Sequence, residues 1–121
     1  MTFFQKEFTT PPPLPQPGTP HSSTPWNPIG PGIWELALNG GAEHKSVLQW
    51  WEPNTMTANQ PITHTFIEEV CFLQGGLEDL SLDRAWGVGA YAYRLPGMLH
   101  GPYRASGEGC LMFVKVFPGN S

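Results

Sequence analysis

The stretch Thr63-His64-Thr65-Phe66-Ile67-Glu68-Glu69-Val70-Cys71-Phe72-Leu73 carries the reading of the fold. On a helix, His64 and Glu68 would share a face, but Pro61 and the β-branched Thr63, Thr65 and Ile67 disfavour helix. On a strand, side chains alternate between faces, so His64, Glu68, Val70 and Phe72 all project to one side. An imidazole and a carboxylate then enter an otherwise apolar interior. That is costly unless the pair is hydrogen-bonded or bound to a metal. Glu69, at the opposite parity, is expected to point outward and to pair with Arg84 or Arg94.

Working outward, Trp34–Leu38, Ser46–Trp51, Ala90–Arg94 and Cys110–Phe117 are equally short and rich in β-formers. Gly40-Gly41, Pro53-Asn54, Gly75-Gly76, Gly87-Val88-Gly89, Pro96-Gly97 and Gly107-Glu108-Gly109 supply turn chemistry between them. No segment sustains an apolar stripe of helical period, so the expectation is an all-β sandwich or barrel. Cys110–Phe117 is apolar at both parities except for Lys115, so one face fills a barrel and the other needs a cover. A second sheet, the N-terminal arm or a second subunit would serve, and a homodimer is expected. Nine of the 14 prolines precede residue 32, and a run such as Pro11-Pro12-Pro13-Leu14-Pro15 is neither helix nor central strand. The expected organisation is a Pro-rich flexible arm over residues 1–24, a barrel over 25–118 and a tail over 119–121. Pro12 to Pro15 offers a PxxP-like surface without a flanking Arg or Lys, which favours a draped tail over an SH3-type ligand.

With 121 residues, 40% apolar and 12% aromatic, the chain has material for one core. A formal charge of −4 and no basic cluster argue against nucleic acid and anionic membranes as partners. No apolar run is long enough to span a bilayer, and the N-terminus lacks a secretory pattern, so the protein is expected in the cytoplasm. Cys71 and Cys110 both lie in apolar runs and are expected as free buried thiols.

The motif His64-xxx-Glu68-Glu69, the strand ending at Gly75 and the later Pro96-Gly97-x-x-His100 resemble the two signature motifs of the cupins. The run through Glu78-Asp79, Gly89-Ala90-Tyr91, His100-Gly101-Pro102 and Gly107 to Lys115 resembles the cupin part of zinc-binding anti-sigma factors. It is also similar to small cupin dioxygenases acting on β-dicarbonyl or hydroxyacetophenone compounds. The similarity spans about residues 26 to 118 and implies a single-domain jelly-roll barrel. It also implies one divalent transition metal (iron, zinc, manganese or nickel) held by His64, Glu68 and His100. Ile62 stands where the first motif histidine would be, and His44 or Gln60 is left open as a substitute. Two histidines and a carboxylate suit non-haem iron or catalytic zinc chemistry.

The resulting expectation is an enzyme. Glu68 and His100 would be catalytic, and Trp50, Phe66, Tyr91 and Tyr93 would line a pocket for an apolar, aromatic or polyketide-like carbonyl compound. The reaction would be a dioxygenation, or a redox-neutral dehydration or isomerisation. A metal-free version uses Glu68 and His100 as base and acid. Non-catalytic alternatives are a ligand- or metal-sensing module and a scaffold, and the proline arm in place of a helical domain weighs against sensing.

Overall fold

Alternation along strands governs the structure, a computed structural model that describes residues 5–57 and 64–119. Seven strands form it: β1 (Asn27–Gly30), β2 (Ile33–Gly40), β3 (Lys45–Trp51), β4 (Phe66–Asp79), β5 (Arg84–Trp86), β6 (Tyr91–Arg94) and β7 (Tyr103–Pro118). They make one antiparallel sheet in the order β1-β2-β3-β7-β4-β5, with β6 also paired to β4. Along one edge β4 pairs with β7. Along the other, Glu68–Cys71 pair with β6 and Leu77–Asp79 with β5. The only helical turn among the described residues is His21–Ser23, and none is long and apolar enough to cross a membrane.

Two of the expected turns are not turns. Gly75-Gly76 lies inside β4 and Gly107-Glu108-Gly109 inside β7, where the register shifts between Gly75 and Leu77. Here glycine bends paired strands instead of reversing the chain. Gly75 and Gly109 have φ of 68° and 82°. A Cβ on Gly75 would stand 1.9 Å from the Gly109 carbonyl oxygen, and one on Gly109 would stand 2.3 Å from the Trp50 ring. The two long strands therefore curl together at a point where neither tolerates a side chain.

The curled sheet has two apolar faces. Val47 and Trp51 of β3, Val70 and Phe72 of β4, and Cys110, Met112, Val114 and Val116 of β7 share the inner core with Tyr103 and Leu77. The intervening residues Trp34, Leu36, Leu48, Trp50 and Leu111 form an outer cluster with Trp26. The arm covers that outer cluster: Leu14 packs on it, and the buried Trp50 Nε1–H donates to the Pro15 carbonyl at 2.9 Å. Lys6 Nζ donates to the Ala37 carbonyl at 3.1 Å further along. Both cysteines are free, but only Cys110 is buried. Cys71 is exposed because it occupies an odd position of β4, the outward parity, alongside half-exposed Leu73.

Candidate functional site

Inside the curl lies a cavity of about 220 Å³. Its apolar wall includes Ile33, Val70, Met112 and Val114, and its polar groups include His64, Glu68, Arg94, His100 and Tyr103, with Gln49 and Thr57 beside them. The three residues singled out by the cupin-like motifs, His64, Glu68 and His100, thus line one space although 36 positions separate the two histidines. His64 lies two residues before β4, Glu68 is an inward position of β4, and His100 sits on the loop before β7. That loop is pinned from below by Asp79, fully buried, which accepts hydrogen bonds from Gly101 N (2.8 Å), Ser81 N (3.0 Å), Ser81 Oγ (2.9 Å) and Leu82 N (3.0 Å). Burial pushes the Asp79 carboxyl up, but these donors outweigh it and hold the group below its ordinary value. The Gly97 N–H donates to the His64 carbonyl at 2.9 Å, tying the same loop to the start of β4.

The two imidazoles meet through their Nε2 atoms, 3.1 Å apart. His64 Nδ1 lies 2.9 Å from the Phe66 carbonyl oxygen, which can only accept, so Nδ1 carries the His64 proton. In the neutral ring Nε2 is then an acceptor, and His100 Nε2–H must be the donor. His100 Nδ1 in turn accepts from the Tyr103 hydroxyl at 2.6 Å. The result is a one-way chain, Tyr103 O–H to His100, His100 N–H to His64, His64 N–H to backbone. The Phe66 ring stacks on His64 with centroids 4.0 Å apart and fixes its plane. Burial, then the positive charge of Arg94 and the neighbouring His64, lower His100 to about 4, against a weaker opposing pull from Asp79. His100 is therefore neutral at pH 7, as the chain requires. Burial likewise raises Tyr103 above its ordinary value and keeps it a phenol.

Beside this chain, Arg94 Nη1 donates to Glu68 Oε1 at 3.1 Å. Glu68 and Arg94 are direct partners in the β4–β6 register, so both point inward. Arg94, expected against Glu69, pairs with Glu68 instead. Glu69, next along β4, accepts from the Tyr91 hydroxyl at 2.5 Å on the outer side. The Arg94 guanidinium lies over the rings of Trp86 (5.3 Å) and Tyr103 (5.4 Å).

The aromatic residues expected around the pocket fall elsewhere. Trp50 is in the outer cluster under the arm, because adjacent Trp50 and Trp51 must face opposite ways, and it is Trp51 that lines the cavity. Phe66 supports His64 instead of lining the cavity. Tyr91 and Tyr93 are 53% and 43% exposed on β6, where the hydrogen bond to Glu69 pushes Tyr91 up to about 12. They border a second hollow, also about 220 Å³, which shares Arg94 and His100 with the cavity. His44 lies at the β2–β3 turn against Phe117, outside the cavity, and Gln60 and Ile62 fall outside the described residues. Among the polar cavity residues, Arg94, Tyr103, Gln49 and Thr57 are ones that sequence reasoning did not place there. His100-Gly101-Pro102-Tyr103 put Tyr103 close at hand; Arg94 had only its parity. A larger hollow of about 540 Å³ near Trp86 and Ser106 holds no comparable cluster, since its Arg104 and Glu78 already pair at 2.7 Å.

The donor set bears on the metal that the resemblance implies. Two Nε2 atoms converge, and His64, whose Nδ1–H is anchored on a backbone oxygen, is oriented as metal-binding histidines are; His100 would match only in the other tautomer, with Nδ1–H donating to the Tyr103 hydroxyl and Nε2 freed. The carboxylate does not complete the set: Glu68 is engaged with Arg94, and among the described residues no three His, Cys, Asp or Glu side chains could hold a metal ion. The described residues fit a two-nitrogen platform and not the three-ligand site.

A family model described as the ChrR Cupin-like domain matches residues 18–119. The chain belongs to the ChrR cupin-like family. Solved cupins share its jelly-roll fold. An RmlC-like cupin from Shewanella frigidimarina superposes with a TM-score of 0.64 at 15% identity, over 77% of this chain and 82% of its own. KdgF from Halomonas sp. gives 0.61 at 13%, over 78% and 89%. The anti-sigma ChrR of Rhodobacter sphaeroides, solved with SigE, gives 0.62 at 22%, over 74% of this cupin and 48% of the matched chain, about half its length. No curated protein sequence matches.

Proposed function

We propose that this cupin is an enzyme that binds a small, largely apolar carbonyl compound in the cup and moves a proton on it, in a redox-neutral isomerisation or dehydration. The observation that carries the reading is the one-way chain Tyr103–His100–His64 standing beside the Glu68–Arg94 pair in one apolar cavity. At about 220 Å³ the cavity falls below the roughly 300–1,000 Å³ of drug-sized pockets, which suits a one-ring or short-chain ligand. Glu68 would take the proton from the carbon next to the carbonyl while the electron pair moves onto the carbonyl oxygen. His100, a neutral N–H donor, would turn to that oxygen and stabilise the charge without having to shed its own. With an α-hydroxycarbonyl compound Glu68 would then return the proton to the former carbonyl carbon while the neighbouring hydroxyl passes its own proton to the oxyanion, an isomerisation; with a β-hydroxycarbonyl compound it would hand the proton to the hydroxide leaving the β-carbon, a dehydration.

Solvent-exchange NMR in D₂O with β-dicarbonyl and hydroxyacetophenone compounds tests this. Exchange at the carbon next to the carbonyl should be accelerated by the wild type and at least a hundredfold slower in Glu68→Gln. No acceleration across the panel refutes the reading. A metal-assisted version, in which His64, Glu68 and His100 would hold a divalent ion able to polarise the carbonyl, requires Glu68 to leave Arg94 and His100 to free its Nε2. Equilibrium dialysis against zinc, iron, manganese and nickel separates the two: tight stoichiometric uptake lost in His64→Ala supports the metal version, and exchange by metal-free protein supports proton transfer alone. The expected homodimer is likewise a proposal, to be read from sedimentation.

A further inference from the structure

Two buried side-chain nitrogens among the described residues lack a hydrogen-bond partner, Trp26 Nε1 and Arg94 Nη2. Trp26 lies in the outer cluster, away from the cavity. Arg94 is different in kind. It is a cation with only 4% of its surface exposed, its Nη1 is committed to Glu68, and its guanidinium is fixed over Trp86 and Tyr103. It is also part of the wall of the cavity and of the adjoining hollow. A buried N–H of a charged group left unpaired is among the costlier features a fold can keep, and charged donors form the strongest hydrogen bonds to carboxylates. The surrounding acceptors are engaged elsewhere: Glu68 Oε1 takes Nη1, the Asp79 oxygens take Gly101, Ser81 and Leu82, and the Tyr103 hydroxyl beside the guanidinium is bonded to His100.

We infer that Arg94 Nη2 is the anchor for a carboxylate carried by the ligand, so that this cup prefers small keto acids over the neutral ketones it also admits. The inference rests on the proton-transfer reading for the placement of the carbonyl, and adds the group that orients it. The Glu68–Arg94 pair is neutral as a unit, and His64 and His100 supply no negative charge. An arriving carboxylate therefore shares the guanidinium with Glu68, one on each terminal nitrogen. The remaining wall, Ile33, Val70, Met112 and Val114, takes the apolar remainder of the ligand.

The test compares phenylpyruvate with its amide by titration calorimetry, on wild type, Arg94→Gln and Arg94→Lys. The acid should bind the wild type on the order of ten- to a hundredfold tighter than the amide, as a charge-assisted hydrogen bond implies. Arg94→Gln should erase the difference, and Arg94→Lys should restore part of it. Equal binding of acid and amide by the wild type overturns the inference, as does a preference that survives in Arg94→Gln. Because Arg94→Gln leaves Glu68 without its partner, Glu68→Gln/Arg94→Gln serves as a second variant that no longer buries a lone charge. The wild-type comparison stands even if both misfold. Arg94-dependent carboxylate binding without Glu68-dependent proton exchange would sink the proposed function and keep the anion site. Glu68-dependent exchange on neutral ketones with no preference for acids would do the reverse.

Discussion

His100 makes the stability of this cupin depend on acid in a defined window. The ring is 5% exposed and lowered to about 4, whereas in the unfolded chain it titrates near 6.5. Above pH 6.5 it is neutral in both states and no penalty is felt. Between pH 6.5 and 4 the unfolded chain takes up a proton that the folded protein refuses, so stability falls as pH falls. The loss is about 1.4 kcal/mol per pH unit, or at most about 3 kcal/mol in all, and it ends below the folded value. Set against a typical total of roughly 5–15 kcal/mol, this single ring is a large fraction of the margin. Urea unfolding at pH values from 7.5 to 3.5, on wild type and His100→Gln, isolates it. Every other titrating group is common to the two proteins, so the difference between their stabilities should be flat above pH 6.5. It should then shift by about 3 kcal/mol in favour of the variant by pH 4. Curves that stay parallel from pH 7.5 to 4 would refute the burial argument, and with it the neutral donor assigned to His100.

Further outcomes follow from the backbone and from the support beneath the site. Gly109→Ala should cost about 3 kcal/mol, combining the positive φ with a Cβ driven into the Trp50 ring, as read from thermal or urea unfolding. Gly18→Ala has the same sign of φ but open space around it, so it should cost about 1–2 kcal/mol. Equal losses at the two positions would show that close approach is not what Gly109 provides. Asp79→Asn replaces an acceptor of four hydrogen bonds, and should destabilise by roughly 1–3 kcal/mol while loosening the loop that carries His100. Broadened His100 and Tyr103 ring resonances, with the Trp50 indole signal unchanged, would mark the effect as local.

How much of this was legible in the sequence depended on how far each feature reaches along the chain. Alternation in Cys110–Phe117 and Ser46–Trp51 is local, and it sufficed for an all-β fold with two apolar faces. The jelly-roll order is not local; it came from the spacing of His64, Glu68 and His100 in motifs that resemble a family. Parity also put Glu68 inward correctly, but it does not say which residue of β6 stands opposite. A one-residue slip exchanges Glu68 for Glu69 as the partner of Arg94, and only the β4–β6 register settles that. Trp50 and Trp51 pose the same problem in miniature, since one of two neighbours must face the cup and nothing in their identity says which. Gly75 and Gly109 misled for a different reason: positive φ serves a hairpin turn and a bend in a paired strand equally well.

The proline arm changes what crowding this protein would mean. Its Leu14 and Pro15 sit on the outer sheet face that a neighbouring copy would need. Any such copy must compete with an occupant tethered to the same molecule, whose effective concentration for a short tether is on the order of millimolar. Below that level the face answers to its own chain first. Self-association through it becomes an exchange reaction, gated by release of the arm and not by the affinity of the two sheets alone.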